Sequence, residues 1–130
     1  MWKKVELTGL TPVASLEGAA LDWAVANCEG ELSQHGGQVH LVESKVRFYE
    51  DTLDIQYTPS TDWAQGGPII EREGINLRAL SGALWEAETW SAEGGQYLLD
   101  GPTPLVAAMR CYVASVLGDE VEVPEELLQS

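Results

Sequence analysis

Residues 103–117, TPLVAAMRCYVASVL, carry the clearest structural signal in the chain. Thr103 is a favourable N-cap, and Pro104 suits the first helical position, where its missing N–H costs nothing. Gly118 follows the stretch and is a typical helix stop. The pattern predicts an α-helix with an apolar stripe at helical spacing, formed by Leu105, Ala108, Met109, Tyr112 and Val116.

Short runs that alternate apolar and polar residues, as half-buried strands do, occupy the middle of the chain. They fall at residues 39–42, 46–49, 53–57, 75–79, 84–90 and 97–99, and the runs on either side of Gly82 predict an antiparallel hairpin. A second helix is predicted before them, at residues 15–28, with Ser15 as its N-cap. The sequence therefore predicts an α+β fold, with a small antiparallel sheet packed against two helices in a single domain that spans residues 1–130.

Both ends of the chain are predicted to be peripheral to this domain. Residues 1–14 form a lead segment in which Val5 and Leu7 alternate with polar residues, as in an edge strand. Residues 119–130 form an acidic tail.

The charge of the chain limits its partners. Among 130 residues, 21 are acidic and 7 are basic, which gives a net charge of −14. Nucleic acids and anionic membranes bind clustered lysines and arginines, so we expect no direct nucleic-acid contact and no membrane contact.

No apolar run is long enough to span a bilayer, and residues 1–4 (MWKK) lead into Glu6 and Thr8 instead of an apolar signal-peptide core. A cytoplasmic location is expected.

The cysteines and histidines do not form a metal motif. Cys28 and Cys111 are distant in sequence, and without a signal peptide we expect two reduced, buried thiols. His35 and His40 have no acid or thiol neighbours at ligand spacing. We therefore expect no metal and no cofactor.

Residues 58–68 (TPSTDWAQGGP) are rich in proline, glycine and serine, and are predicted to form a long loop. Asp62, Trp63, Gly66 and Gly67 make this loop the first candidate binding site, because a Gly-Gly pair near a tryptophan offers backbone amides and a stacking surface to a ligand. The alternative is a structural turn in which the glycines supply positive φ angles and Trp63 fills the core.

Asp22 and Trp23, within the first predicted helix, are the second candidate pair. A carboxylate beside an indole ring can orient a polar ligand. In the alternative interpretation, Trp23 belongs to the core and Asp22 is solvated or binds a nearby loop amide.

Arg72 lies between Glu71 and Glu73, and this segment is predicted to be a strand. Alternating acids on a strand can bind a metal or act as an acid–base pair. The alternative is a solvated strand face or an ion pair with Arg72.

Three strings together resemble a known family. They are LDWAVA at 21–26, PSTDWAQGGPIIERE at 59–73 and PTPLVAAMRCYVASVLGDEVEVP at 102–124. The chain resembles the NinX-like family of small phage and prophage proteins from about Leu16 to Leu127. This resemblance implies a phage-encoded protein of the bacterial cytoplasm and implies no particular activity. The family pattern falls on Leu21, Asp22, Trp23, Trp63, Gly67, Pro68, Ile69, Ala108 and Met109.

Three functional hypotheses follow from these observations. The first is a non-catalytic binding protein with an unknown host or phage protein as its partner, either monomeric or homo-oligomeric. The second is an acidic mimic of nucleic acid that inhibits a DNA-processing enzyme. The third is a small-molecule or metal-dependent enzyme that uses Asp62, Glu71 and Glu73.

Overall fold

The computed structural model describes residues 9–30, 38–50 and 53–128. Three α-helices occur in this part of the chain: α1 (Gly18–Gly30), α2 (Trp63–Glu73) and α3 (Pro104–Leu117). The strands are β1 (Thr11–Pro12), β2 (Gln38–Val42), β3 (Lys45–Glu50), β4 (Leu53–Gln56), β5 (Asn76–Ala79), β6 (Trp85–Trp90), β7 (Gln96–Gly101) and β8 (Glu120–Val121). Short 3-10 turns cover Val13–Ser15 and Glu125–Leu127.

The strands form three separate antiparallel sheets instead of one. Their orders are β1-β8, β2-β3-β4 and β5-β6-β7. The predicted fold, a single small sheet packed against two helices, is therefore wrong. The two three-stranded sheets are each built from strands adjacent in sequence, and a helix separates them in the chain, so local pairing does not join them.

Helix α3 lies at the centre of the molecule. It packs against β5, β6 and β7 on one side and against α1 and α2 on the other, while α1 also contacts β2 and β3. Residues 105–114 of α3 are all buried, so this helix has no solvent-facing side over ten consecutive positions. The small side chains Ala107, Ala108 and Ala114 are fully buried and allow neighbouring elements to approach the helix closely.

The predicted bounds of α3 are confirmed. Thr103 Oγ1 accepts a hydrogen bond from the Val106 amide at 3.1 Å, Pro104 opens the helix, and Gly118 follows it. For α1 the predicted start is wrong: Ser15 lies in a 3-10 turn, where its hydroxyl donates to the Pro12 carbonyl at 2.8 Å. The α-helix begins three residues later, at Gly18.

The predicted loop over residues 58–68 is confirmed for residues 58–62 and wrong for residues 63–68, and the predicted strand at Glu71–Glu73 is wrong, because Trp63–Glu73 is a helix. Asp62 caps α2 by accepting from the Ala64 amide at 2.9 Å, and Gly74 ends it with a left-handed φ of 66°. The helix is amphipathic, with Gly66 and Ile69 buried beneath its solvent-facing residues.

The two ends of the described chain contribute to the core. Val13, Val121 and Val123 are buried, and β1 pairs with β8 through Thr11 opposite Val121. Val5 and Leu7, which suggested an edge strand, lie outside the described residues, as does His35. The predicted hairpin is confirmed by the pairing of β5 with β6.

Cys28 and Cys111 are both reduced and buried, as expected. Within the described ranges, none of the helices has the length and apolar character needed to cross a membrane.

Candidate functional site

The segment between β4 and α2 is held in place by side chains from two helices. Gln65, in the first turns of α2, accepts from the Thr58 amide at 2.6 Å and donates to the Gln56 carbonyl at 3.0 Å. The amides of Thr61 and Asp62 both donate to the Thr58 carbonyl. These bonds satisfy the backbone of the segment and fix the position at which α2 begins.

Asp22 anchors the same segment from α1. Its side chain is buried, and Oδ1 accepts from the Ser60 amide at 2.9 Å. Burial raises the pKa of Asp22 to about 6, against the effect of Ser60, which lowers it. Asp22 therefore holds a loop amide and is not presented to solvent, whereas its neighbour Trp23 is partly buried against the core.

Gly66 is the point of closest approach between α2 and its surroundings. A Cβ atom at this position would lie 2.5 Å from the Pro59 carbonyl oxygen and 2.6 Å from Leu105 Cδ2. The same atom at Gly67 would meet only Trp63 Cε3, at 3.9 Å. Of the two candidate glycines, Gly66 is therefore needed for packing, and both lie within a helix instead of a ligand-binding turn.

A small cleft lies where α2 and α3 begin. We call it the Trp63 cleft; its volume is about 230 Å³ and it is lined by Ser60, Thr61, Trp63, Thr103, Pro104, Leu105 and Val106. Trp63 is 53% exposed, so its indole ring forms an open wall of the cleft and does not fill the core. Leu105 and Val106 are buried and form an apolar floor.

Ser60 adds a polar group to this apolar cleft. The residue is 1% exposed, and its Oγ makes no hydrogen bond of acceptable geometry within the described part of the chain, although it lies near Asp22. A buried hydroxyl without a partner is costly, and it can both donate and accept. The cleft thus combines an aromatic wall and an apolar floor, with the Ser60 hydroxyl buried near Asp22.

Arg72 lies at the opposite end of α2, in a second polar cluster. Its two terminal nitrogens donate to the two carboxylate oxygens of Glu29 at 3.0 and 2.6 Å, and Nε donates to Glu73 at 2.7 Å. The Tyr112 hydroxyl donates to Glu29 at 2.5 Å and accepts from Arg72 at 3.1 Å. The cluster joins the last turns of α1 and α2 to α3.

The electrostatics of this cluster are those of a structural tie. Burial raises the pKa of Glu29, but hydrogen bonds from Arg72 and Tyr112 outweigh it and hold the pKa below its ordinary value. Burial and the neighbouring Glu29 raise the pKa of Tyr112, so its hydroxyl stays protonated. Glu29 and Arg72 therefore stay charged and Tyr112 stays protonated near neutral pH, so none of the three is poised to exchange a proton with a ligand.

The three carboxylates of the enzyme hypothesis do not come together. Asp62 caps the start of α2, whereas Glu71 and Glu73 lie in its last turn. An 11-residue helix places its two ends about 16 Å apart. Glu73 is engaged by Arg72, and residues 9–30, 38–50 and 53–128 contain no group of three potential metal ligands.

The structure therefore unites only part of the predicted site. Asp22, Asp62 and Trp63 lie around the segment before α2, whereas Arg72 belongs to the separate cluster. Sequence reasoning did not single out Thr103 and Leu105 as cleft residues, because they were assigned to a cap and to the core. Glu29 was also missed; its only sequence signal is its spacing of seven from Asp22, which puts both acids on one face of α1.

Comparison with known families gives one finding. Residues 12–116 match the family model described as bacteriophage P22, NinX, which confirms the resemblance inferred from the sequence. A comparison with curated protein sequences gives no match.

Proposed function

Because the chain belongs to the family of bacteriophage P22 NinX, we propose that it is a phage accessory protein that acts in the bacterial cytoplasm by binding a protein partner, without catalysis. The observation that supports this proposal is the exposed Trp63 at the mouth of an apolar cleft. Tryptophan is the residue most often found at the energetic centre of a protein interface.

The size of the cleft favours a protein partner over a cofactor. Pockets for small molecules usually enclose about 300–1,000 Å³. The Trp63 cleft, at about 230 Å³, has room for one or two side chains instead. A partner's apolar side chain would contact Trp63 and Leu105.

The test compares two exposed tryptophans in the tagged full chain. Trp63 and Trp90 are 53% and 57% exposed, and Trp90 lies on β6, whose residues do not line the cleft. Proteins retained from a phage-infected host lysate are identified, purified and titrated against each variant. We expect Trp63→Ala to weaken binding at least 10-fold, while Trp90→Ala changes it less than 2-fold.

Both variants are expected to keep the wild-type unfolding midpoint, because both rings are exposed. Equal binding by Trp63→Ala and the wild type would contradict the proposal. A Trp63→Ala chain that binds weakly because it has unfolded would assign Trp63 a structural role instead.

A second candidate function, mimicry of nucleic acid, draws support from the way the basic residues are used. Arg47, Arg72 and Arg78 each pair with a carboxylate, and Arg110 binds two backbone carbonyls. Exposed acids on several elements are left without such compensation. This function predicts inhibition of a DNA-processing enzyme that fades between 50 and 300 mM salt, whereas salt-independent inhibition or none would count against it.

A further inference from the structure

Strand β7 has an edge whose backbone groups are unpaired in the described part of the chain. In the sheet order β5-β6-β7, only one side of β7 meets another strand. The Ser91 amide donates to the Gly95 carbonyl at the hairpin end, which sets the alternation of hydrogen bonds along the ladder. Tyr97 and Leu99 therefore bond to β6, whereas Gln96 and Leu98 direct their backbone groups away from it.

Arg110 marks the end of this open edge. The Asp100 carbonyl, which has the same orientation as those of Gln96 and Leu98, accepts from Arg110 Nη1 at 2.9 Å. Arg110 Nε also donates to the Leu16 carbonyl at 2.7 Å, so this arginine closes the edge at Asp100. No corresponding bond to Gln96 or Leu98 occurs among the described residues.

A groove of about 630 Å³ runs along the open edge. One wall is β7, and the other is formed by residues 12–14 together with Asp119 and Glu120. Tyr97, Leu98 and Leu99 provide apolar surface, and Asp119 and Glu120 are exposed. The residues that line the groove include no lysine, arginine or histidine.

We propose that this groove binds an extended, basic segment of a partner protein, which adds to β7 as a further strand. Main-chain hydrogen bonds to Gln96 and Leu98 would supply affinity, as in other complexes formed by strand addition. Apolar side chains at alternate positions would face the groove, and the lysines or arginines between them would pair with Asp119 and Glu120.

Charge complementarity identifies the occupant. Each copy of this chain has a net charge of −14, so a second copy would bring like charge to an acidic groove, whereas a basic segment is attracted to it. The groove shares no lining residue with the Trp63 cleft, so this binding does not depend on the proposed function.

The test uses the full chain and synthetic eight-residue peptides. The first alternates valine and lysine, the second replaces each lysine by glutamate, and the third carries N-methyl groups on alternate backbone nitrogens. Binding is followed by fluorescence anisotropy and by the amide NMR signals of the protein. We expect the lysine peptide to shift the signals of Gln96 and Leu98, and the other two peptides to bind at least 10-fold more weakly.

Two charge variants with the same change in net charge complete the test. Asp119→Asn/Glu120→Gln alters the groove, and Glu71→Gln/Glu93→Gln alters exposed acids elsewhere. We expect at least 5-fold weaker binding of the lysine peptide by the first and less than 2-fold by the second. Equal weakening by the two double variants, or NMR shifts that miss the β7 edge, would overturn the proposal. A dimer detected by light scattering, with an interface that covers the β7 edge, would overturn it as well.

Discussion

Asp22 is the residue whose protonation most directly affects the fold. Burial raises its pKa from 3.8 to about 6, while its Oδ1 still accepts from the Ser60 amide. The folded chain holds the proton of Asp22 more tightly than the unfolded chain, so protonation of Asp22 stabilises the folded state. This contribution to the free energy of unfolding is fully present below pH 3.8 and is lost as the pH rises through about 6. A shift of this size corresponds to about 3 kcal/mol.

We expect Asp22→Asn to remove this pH dependence, since asparagine keeps the acceptor oxygen but has no charge to bury. From pH 4 to pH 7 the free energy of unfolding of the wild type should fall by about 2.4 kcal/mol relative to that of the variant, because at pH 4 part of the unfolded-state carboxyl is already ionised. Urea denaturation at intervals across this range measures it. Asp119→Asn, at an exposed site, controls for the loss of one negative charge, and parallel pH curves for Asp22→Asn and the wild type would contradict the prediction.

At the scale of elements, the contact of α2 with α3 depends on the absence of a side chain at Gly66. Gly66→Ala would place Cβ 2.5 Å from the Pro59 carbonyl oxygen, and the shifts needed to relieve this contact usually cost about 1–3 kcal/mol. Gly67→Ala meets no such contact, but its gain in helix propensity of up to about 1 kcal/mol is opposed by the ring of Pro68, which disfavours helical backbone at a preceding residue that has a Cβ atom. We therefore expect Gly66→Ala to lower the urea midpoint and Gly67→Ala to leave it nearly unchanged; equal changes would show that backbone conformation, not packing, decides both.

The three helices are also joined by the Glu29 cluster, which predicts an energetic coupling. Tyr112→Phe removes the hydroxyl that donates to Glu29, and we expect it to lower the free energy of unfolding by about 1–2 kcal/mol. In the background of Glu29→Gln the same change should cost less, because the charged acceptor is gone. A double-mutant cycle by urea denaturation measures the coupling, and additive effects would mean that the two side chains act independently.

Helix α3 could be predicted to the residue, whereas α2 could not. Thr103, Pro104 and Gly118 are local signals that act at the helix ends themselves. In α2, Gly66, Gly67 and Pro68 each disfavour a helix interior, and the tertiary contact that requires Gly66 involves Pro59 and Leu105. Because α2 was predicted as a loop, the candidate site was also predicted with the wrong backbone: Trp63 is the first residue of a capped helix and not part of a loop.

At the scale of the whole molecule, the strands were located but their grouping into sheets was not. Turns such as Ser91–Gly95 pair strands that are adjacent in the chain, and the glycines and polar residues of such turns can be recognised in the sequence. Whether strands β2–β4 and β5–β7 join into one sheet depends on how α1 and α3 pack between them. This packing involves residues far apart in the chain, so no short stretch of sequence predicts it. Of the candidate residues, Trp63 was identified from its type, whereas Leu105 and Val106, which form the floor of the cleft, come from α3.

The net charge of −14 predicts that ionic strength stabilises the whole molecule. Repulsion among the exposed acids opposes compaction, and salt screens it. We expect the thermal midpoint to rise by about 2–5 °C between 20 and 300 mM NaCl. Potassium chloride should act equally, and a rise confined to divalent cations would point to specific ion binding instead.

The burial of α3 gives the protein a built-in reporter of its own opening. Cys111 Sγ lies 3.5 and 3.4 Å from the carbonyl oxygens of Ala87 and Tyr97, and burial raises its pKa to about 12. Alkylating reagents attack the thiolate, so they reach this sulfur only when α3 separates from β6 and β7. Because iodoacetamide reacts slowly, the rate at which it modifies Cys111 should be proportional to the population of the separated form, in a cell extract as well as in a purified sample. A partner that slows the modification would be binding to the closed form.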